Sequence, residues 1–243
     1  MINNKLFSTL SVSLILLSSS AYAAREEVKD QSIEIIDAPT AEILDHYGYF
    51  ENFRFGTAGA LQTKTAFGVL PRLNLGFGLD GEQVIGTGSA RLNKPTINVK
   101  FRFFDGEGWI PAMALGYDGQ GYVWNKDINR YQQREMGFYF AATHEIFVPD
   151  LNWTFGVNRS DFESGGATRG FTGLEYVYHH TVGFEGEYVN AFSSTERRIN
   201  FGLKYFVTPV FTVEAIGRNI PNSVNTTHNE TERIVRLAYR GAF

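Results

Sequence analysis

Charged side chains recur at alternate positions of several segments that otherwise have the pattern of extended chain. Lys100 and Arg102 alternate with Val99 and Phe101, and Lys204 stands between larger apolar residues in the same way. Successive side chains of a strand point to opposite faces, so such charges share one face. Ammonium, guanidinium and carboxylate groups on one face of a closed sheet bind polar solutes or pair with one another. The chemistry that this spacing favours is recognition of charge.

Two sets of charge fall on the predicted inner face. The basic set is predicted to form one wall of a lumen and comprises Arg54, Lys64, Arg72, Lys100, Arg102, Arg198, Lys204, Arg236 and Arg240. The acidic set is predicted to form much of the opposite wall and comprises Asp118, Glu145, Glu175, Glu185, Glu187 and Glu214. Two such walls would orient polar solutes in a water-filled pore. The same residues would also close a narrow interior with salt bridges, and both interpretations stay open.

Residues typical of catalysis form only weak constellations. His144, His179 and His180 fall near strand ends or in a short turn, and Ser160 falls at a different predicted link, so no Ser–His pair is predicted. The chain has no cysteine, so an exported form would have no disulfide bonds. We therefore predict no enzyme activity, no metal site and no cofactor.

The elements that would position the charges are strands. Alternation of two predicts twelve of them, at about Tyr49–Thr57, Leu61–Val69, Arg72–Glu82, Thr96–Phe104, Ile110–Asp118, Gln133–Glu145, Leu151–Asn158, Phe171–Tyr178, Val182–Asn190, Arg198–Val207, Val210–Arg218 and Arg233–Phe243. The links between them alternate between short and long, apart from a short first hairpin. Tight turns at one end and extended links at the other are typical of outer-membrane barrels. We predict an all-β fold, a single transmembrane antiparallel up-and-down β-barrel of about 12 strands, in the range 48–243.

Both ends of the chain support export to an outer membrane. Lys5, an apolar run from Leu10 to Leu17 and Ala21-Tyr22-Ala23 are the three parts of a cleaved signal peptide, predicted over 1–23. Residues 24–47 are predicted to be a periplasmic segment, either a tail or a short plug-like lead-in. The last strand resembles the signal by which outer-membrane barrels are recognised for insertion, through Val235, Leu237, Tyr239 and Phe243. Gly241 departs from that pattern.

The expected partners follow from the barrel. They are outer-membrane lipid, the barrel assembly machinery, and small solutes or polysaccharide, with a monomer as the predicted state. A net charge of −4 provides no basic footprint for nucleic acid. The predicted function is a narrow channel for small polar or charged solutes, or an accessory to surface polysaccharide passage. The alternatives are a structural or surface-interaction barrel with a closed lumen and, third, an outer-membrane hydrolase.

Part of the chain also resembles a known family. The segments Pro39-Thr40-Ala41-Glu42, Leu73-Asn74-Leu75-Gly76, Val99-Lys100-Phe101-Arg102 and Ile110-Pro111-Ala112 are similar to those of the YjbH-like outer-membrane lipoproteins associated with exopolysaccharide production. The match covers about the first third of the mature chain, and the lipid-accepting cysteine of that family is missing. The resemblance implies a barrel and a link to polysaccharide export.

Overall fold

The computed structural model describes residues 32–125, 127, 129–133, 136–160, 168–193, 196–220 and 231–243. The predicted signal peptide lies outside these residues. The strands are Gly48–Phe55 (β1), Leu61–Leu70 (β2), Leu73–Glu82 (β3), Arg91–Leu92 (β4), Thr96–Phe104 (β5), Ala112–Asp118 (β6), Tyr122–Asn125 (β7), Arg130–Gln133 (β8), Gly137–Glu145 (β9), Leu151–Arg159 (β10), Arg169–Tyr178 (β11), Val182–Val189 (β12), Arg198–Thr208 (β13), Phe211–Arg218 (β14) and Glu232–Ala242 (β15).

A closed antiparallel barrel is formed by 12 of these strands, which confirms the predicted fold class. Closure is made by β1, which pairs with β2 on one side and with β15 on the other. The short β4 extends the edge of β3, and β7 pairs only with β8 in a separate hairpin. Short turns join the strands at one end of the barrel, the short-turn end, and longer links join them at the other, the long-link end.

Most predicted strands differ from the observed ones by one or two residues, but one prediction joined two elements. Gln133 belongs to the β7–β8 hairpin, and the barrel strand β9 begins at Gly137. Gly137 has a φ of 65°, a backbone conformation that glycine adopts without a steric penalty. The chain therefore turns there before it enters the barrel wall.

The two faces of the wall differ in polarity. The outer face carries large apolar side chains that are about half exposed, among them Leu75, Phe77, Ile97, Phe101, Leu115, Phe138, Leu174, Phe184, Phe201, Leu203 and Val235. The inner face carries most of the buried polar and charged residues. An apolar belt of this extent is unfavourable in water and is solvated well by lipid. Among the described residues, no helix is long and apolar enough to cross a membrane.

The last strand packs its aromatic residues against the first. Tyr49 stacks on Tyr239 with ring centroids 5.8 Å apart, and lies 4.9 Å from the ring of Phe243. A Cβ atom on Gly241 would lie 2.8 Å from the ring of Tyr49. Gly241, the residue that departs from the insertion pattern, thus leaves room for an aromatic ring across the strand pair that closes the barrel.

Candidate functional site

The lumen is occupied by a hairpin of residues 32–46, which we call the luminal hairpin. Glu34 and Pro39 form an antiparallel bridge, and Ile35 N donates to Ala38 O at 2.9 Å across the tip. Ile35 and Ile36 are fully buried against Ile216 and Ile234 of the wall. Burying a side chain of this size contributes about 1.5–3 kcal/mol. Residues 32–46 of the predicted segment 24–47 therefore lie in the lumen, and residues 24–31 fall outside the described residues.

The hairpin enters and leaves the barrel at the short-turn end. Ser32 Oγ donates to Glu175 Oε1 at 2.6 Å, near the short turn that follows β11. The tip at Asp37 reaches Arg218, which ends β14 at the long-link end. On the return, Tyr47 N donates to Gly68 O near the short turn after β2. A Cβ atom on Gly68 would lie 2.0 Å from Asp45 O, so the exit of the hairpin requires glycine there.

Glu34 is the central acid of the hairpin. Its Oε1 lies 2.8 Å from Arg54 Nη2 and its Oε2 lies 2.7 Å from Lys64 Nζ. Asn52 Nδ2 also donates to Oε1, at 2.8 Å. Burial by itself disfavours the charged form, but Lys64 and Arg54 outweigh it and hold the pKa of Glu34 well below its usual range. The hairpin is therefore held to β1 and β2 by a buried, charged contact.

Asp37 makes the corresponding contact at the tip. Its Oδ2 accepts from Arg218 Nε at 2.6 Å, and its Oδ1 accepts from Tyr122 Oη at 2.6 Å. Arg54 Nη1 lies 3.3 Å away on a second side, and Asn200 Nδ2 lies 3.5 Å away. Burial opposes ionisation here too, but the two guanidiniums hold the pKa of Asp37 well below its usual range. We call these four donors, Arg54, Tyr122, Asn200 and Arg218, the Asp37 cradle.

A carboxylate of the barrel wall also binds the tip of the hairpin. Glu187 of β12 accepts hydrogen bonds from three consecutive backbone N–H groups at the tip, those of Ile36, Asp37 and Ala38, at 2.9–3.1 Å. Asn200 Nδ2 also donates to Glu187, at 2.6 Å. Buried backbone donors are thus satisfied by the wall, which fixes the tip in depth as well as in orientation.

A second hairpin closes the lumen from the long-link end. Tyr122 of β7 projects onto the tip of the luminal hairpin, and its ring is stacked by the guanidinium of Arg218 at 3.4 Å from the centroid. Gln133 of β8 accepts from Arg198 Nη1 at 3.0 Å and donates to Glu232 Oε1 at 3.1 Å. The hairpin β7–β8 and the luminal hairpin therefore meet at Asp37.

The remaining luminal charges pair with their neighbours in the wall. Lys204 Nζ lies 2.6 Å from both Glu175 and Glu185. Arg236 pairs with Glu214 and lies 3.4 Å from Glu185. Glu175 of β11 and Glu185 of β12 lie opposite each other in the strand register, and Lys204 of β13 pairs with both. The arrangement of two opposed charged walls stays a prediction.

The structure places the predicted luminal residues in three groups. Inside the lumen and buried or nearly so are Arg54, Lys64, Lys100, Arg102, Asp118, Glu175, Glu185, Glu187, Arg198, Lys204, Glu214 and Arg236. Arg240 lines a small cavity with Ser32 at the short-turn end. Arg72 and Glu145, which were predicted to face the lumen, lie outside it. Arg72 lies in a turn with a φ of 72° and pairs with Asp105 outside the lumen, and Glu145 is exposed at a strand end, where it accepts from Asp150 N.

Sequence reasoning missed several residues of this site. Arg218 and Asn52 have the same parity as the inward Glu214 and Arg54, so the alternation could have included both. Glu34, Asp37 and Tyr122 carry no periodic signal, because they lie on a tight hairpin tip and on a folded link. The Ser and His residues considered for the hydrolase alternative lie far apart: Ser160 is at the long-link end, and His144, His179 and His180 are at the short-turn end.

Among the described residues, small cavities lie around the luminal hairpin. One of about 60 Å³ opens at the short-turn end, and one of about 30 Å³ lies beside Asp37 and Lys64. The third, of about 260 Å³, lies at the long-link end and is bounded by Arg54, Tyr122, Asp80, Glu82 and Glu232. In the described part of the chain, no cluster of three or more His, Asp or Glu side chains is placed to hold a metal ion.

Comparison with known proteins finds similarity to solved structures only. No family model matches the chain, and no curated protein matches it. A solved structure described as KdgM porin is similar at 13% identity and a TM-score of 0.50, over 81% of this chain and 99% of that one. Two variants of Rh. blastica porin are similar at 9% identity, with TM-scores of 0.37 and 0.38, over 75% of this chain. The chain spans 55% of the length of those two porins.

The class of the protein follows from its own geometry. A closed antiparallel barrel with a half-exposed apolar exterior and a charged interior is an outer-membrane β-barrel. The likeness to KdgM porin, at its low identity, concerns this fold. The resemblance to the YjbH-like lipoproteins finds no support, because no family model matches.

Proposed function

We propose that the protein is a passive outer-membrane channel for small charged solutes, and that the luminal hairpin closes it at rest. The observation that carries this proposal is the position of the hairpin, which fills the lumen but joins the barrel covalently only through Tyr47 and β1. A segment attached at one point can leave as a unit without any strand pair breaking. The short-turn end would face the periplasm, so the hairpin would withdraw to that side.

The nature of the contacts supports reversible closure. Much of the adhesion comes from charged pairs such as Glu34 with Arg54 and Asp37 with Arg218. When the hairpin leaves, water hydrates the charged groups of both the hairpin and the wall, so neither set of charges is left unpaired in an apolar medium. Lumen-facing charges would then line an aqueous path, as they do in porins. The closed-lumen structural barrel remains the second candidate, favoured by the number of these pairs.

Planar-bilayer recording separates the two candidates. The purified wild type is compared with a variant in which Glu34→Gln, Asp37→Asn and Glu42→Gln neutralise three of the four acids of the hairpin. We expect rare openings of the wild type and at least tenfold more open time in the variant. Glu107→Gln, an exposed position at the short-turn end, is the matched control and should behave as wild type. A folded triple variant that passes no current would leave the structural barrel as the function.

Two further roles are proposed from the sequence. The outward face of β15, with Val235, Leu237, Tyr239 and Phe243, is the surface that the assembly machinery would recognise. Loss of this recognition in a Phe243→Ala variant would lower the yield of heat-modifiable barrel in outer-membrane fractions. A signal peptide over 1–23 would deliver the chain to that machinery.

A further inference from the structure

The Asp37 cradle is a complete carboxylate-binding site. Arg218 supplies one charge-assisted hydrogen bond at 2.6 Å, Tyr122 supplies a second at 2.6 Å, and Arg54 lies 3.3 Å from the same carboxylate. All of these donors belong to the wall or to β7. They therefore stay in place when the luminal hairpin withdraws, and the site that Asp37 leaves would be empty and positively charged.

A cavity also adjoins the cradle at the long-link end while the hairpin is in place. The cavity of about 260 Å³ at that end is bounded by Arg54 and Tyr122, two of the four cradle residues. Its other boundary includes the β1–β2 link, with Gly56 and Thr57. A solute of a few heavy atoms fits this volume and would lie against Arg54 and Tyr122.

The lining of the same cavity also includes three acids. Asp80 and Glu82 line it, and Glu232 lines it while pairing with Arg218 at 2.7 Å. A solute with negative charge at both ends would meet these carboxylates. A solute with a carboxylate at one end and an ammonium group at the other matches both sides.

We propose that a small zwitterion bearing one carboxylate and one ammonium group competes with Asp37 for the cradle, and that its binding releases the luminal hairpin. The inference rests on the proposed function and deepens it by naming a solute class and a trigger. A ligand that binds only the released state shifts the population toward that state. The solute would thus open its own path.

Hairpin release can be measured apart from current. Ala41 belongs to one buried cluster with Ala112 and Ala114 of β6, which makes these two wall residues the candidate partners for a disulfide to the hairpin. The natural chain has no cysteine, so the pair Ala41→Cys and Ala114→Cys is the sole thiol pair. Disulfide formation under a mild oxidant reports the seated hairpin, with Ala112→Cys as the alternative partner.

Three solutes are added to this variant at equal concentration. Alanine carries both charges, alaninamide lacks the carboxylate, and succinate carries two carboxylates. We expect alanine to lower the disulfide yield at least threefold, alaninamide to leave it unchanged, and succinate to act only at higher concentration. Adding Asp37→Asn should lower the half-effective alanine concentration about tenfold, because the competing ligand is weakened. Asp45→Asn, at the exposed exit of the hairpin, is the matched control.

The outcomes are distinguishable. Equal effects of alanine and alaninamide, or no effect of alanine, would overturn the proposal even if the protein conducts. Succinate acting at lower concentration than alanine would overturn the zwitterion preference. Hairpin release by alanine without any current would uphold the cradle as a binding site and reject the channel.

Discussion

The guanidinium of Arg218 stacks on the ring of Tyr122, with its Cζ 3.4 Å from the ring centroid. Arg218 ends a barrel strand and Tyr122 begins the hairpin at the long-link end, so this contact joins the wall to the folded link. Both residues also hold Asp37 of the luminal hairpin. The barrel wall, the folded link and the luminal hairpin therefore meet at this contact.

Replacing Tyr122 by leucine should loosen this junction. The change removes the cation–π contact and the hydrogen bond to Asp37, which together contribute about 2–3 kcal/mol. We expect the open time in planar bilayers to rise at least tenfold. Val123→Ala, an exposed neighbour on the same hairpin, should leave the open time unchanged. Equal open times in the two variants would show that Tyr122 does not hold the plug.

Glu34→Ala should weaken the seating of the luminal hairpin most. Arg54 and Lys64 would lose the acid that lies 2.7–2.8 Å from each of them, and breaking a buried pair typically costs about 3–5 kcal/mol. The measurement is the rate at which a cysteine at the fully buried Ala38 reacts with a water-soluble maleimide. The same Ala38→Cys change without Glu34→Ala is the control. An unchanged reaction rate would show that Glu34 does not hold the luminal hairpin in the barrel.

Acid should release the hairpin. The pKa values of Glu34 and Asp37 are lowered when the hairpin is seated, so their pairs contribute fully above the ordinary carboxyl pKa of about 4–4.5 and are lost as pH falls below it. We expect open time to rise as the pH falls from 5 toward 3. The combined Glu34→Gln and Asp37→Asn variant should flatten this rise. A wild-type open time that falls on acidification would contradict the assignment.

Gly241→Leu should destabilise the seam that closes the barrel. A Cβ atom there would lie 2.8 Å from the ring of Tyr49, and overpacking of this kind costs about 1–3 kcal/mol. The midpoint of urea unfolding in detergent should fall, and Tyr49→Ala should restore part of the loss in the double variant. Ala242→Leu, one residue away and exposed, is the control. Equal unfolding midpoints for the two leucine variants would show that a side chain at position 241 does not clash with Tyr49.

The barrel could be predicted from the sequence because lipid imposes a strict alternation on every strand. That alternation placed Glu185, Lys204 and Arg236 inside the lumen. It failed for Arg72, which a positive φ places in a turn, and for Gln133, where strand-like residues belong to a folded link. The plug was beyond prediction from periodicity. Glu34 and Asp37 acquire their roles only when closure brings β1, β2 and β14 around them.

The most direct test of the closed channel is single-channel current from the Ala41→Cys, Ala114→Cys variant before and after reduction. The oxidised protein has its hairpin tied to β6, and the reduced protein does not. We predict that the oxidised form stays shut and that a reductant restores openings at the wild-type rate, while the Ala41→Cys single variant is insensitive to reductant. Steady current through the oxidised form would show that the luminal hairpin does not close the pore.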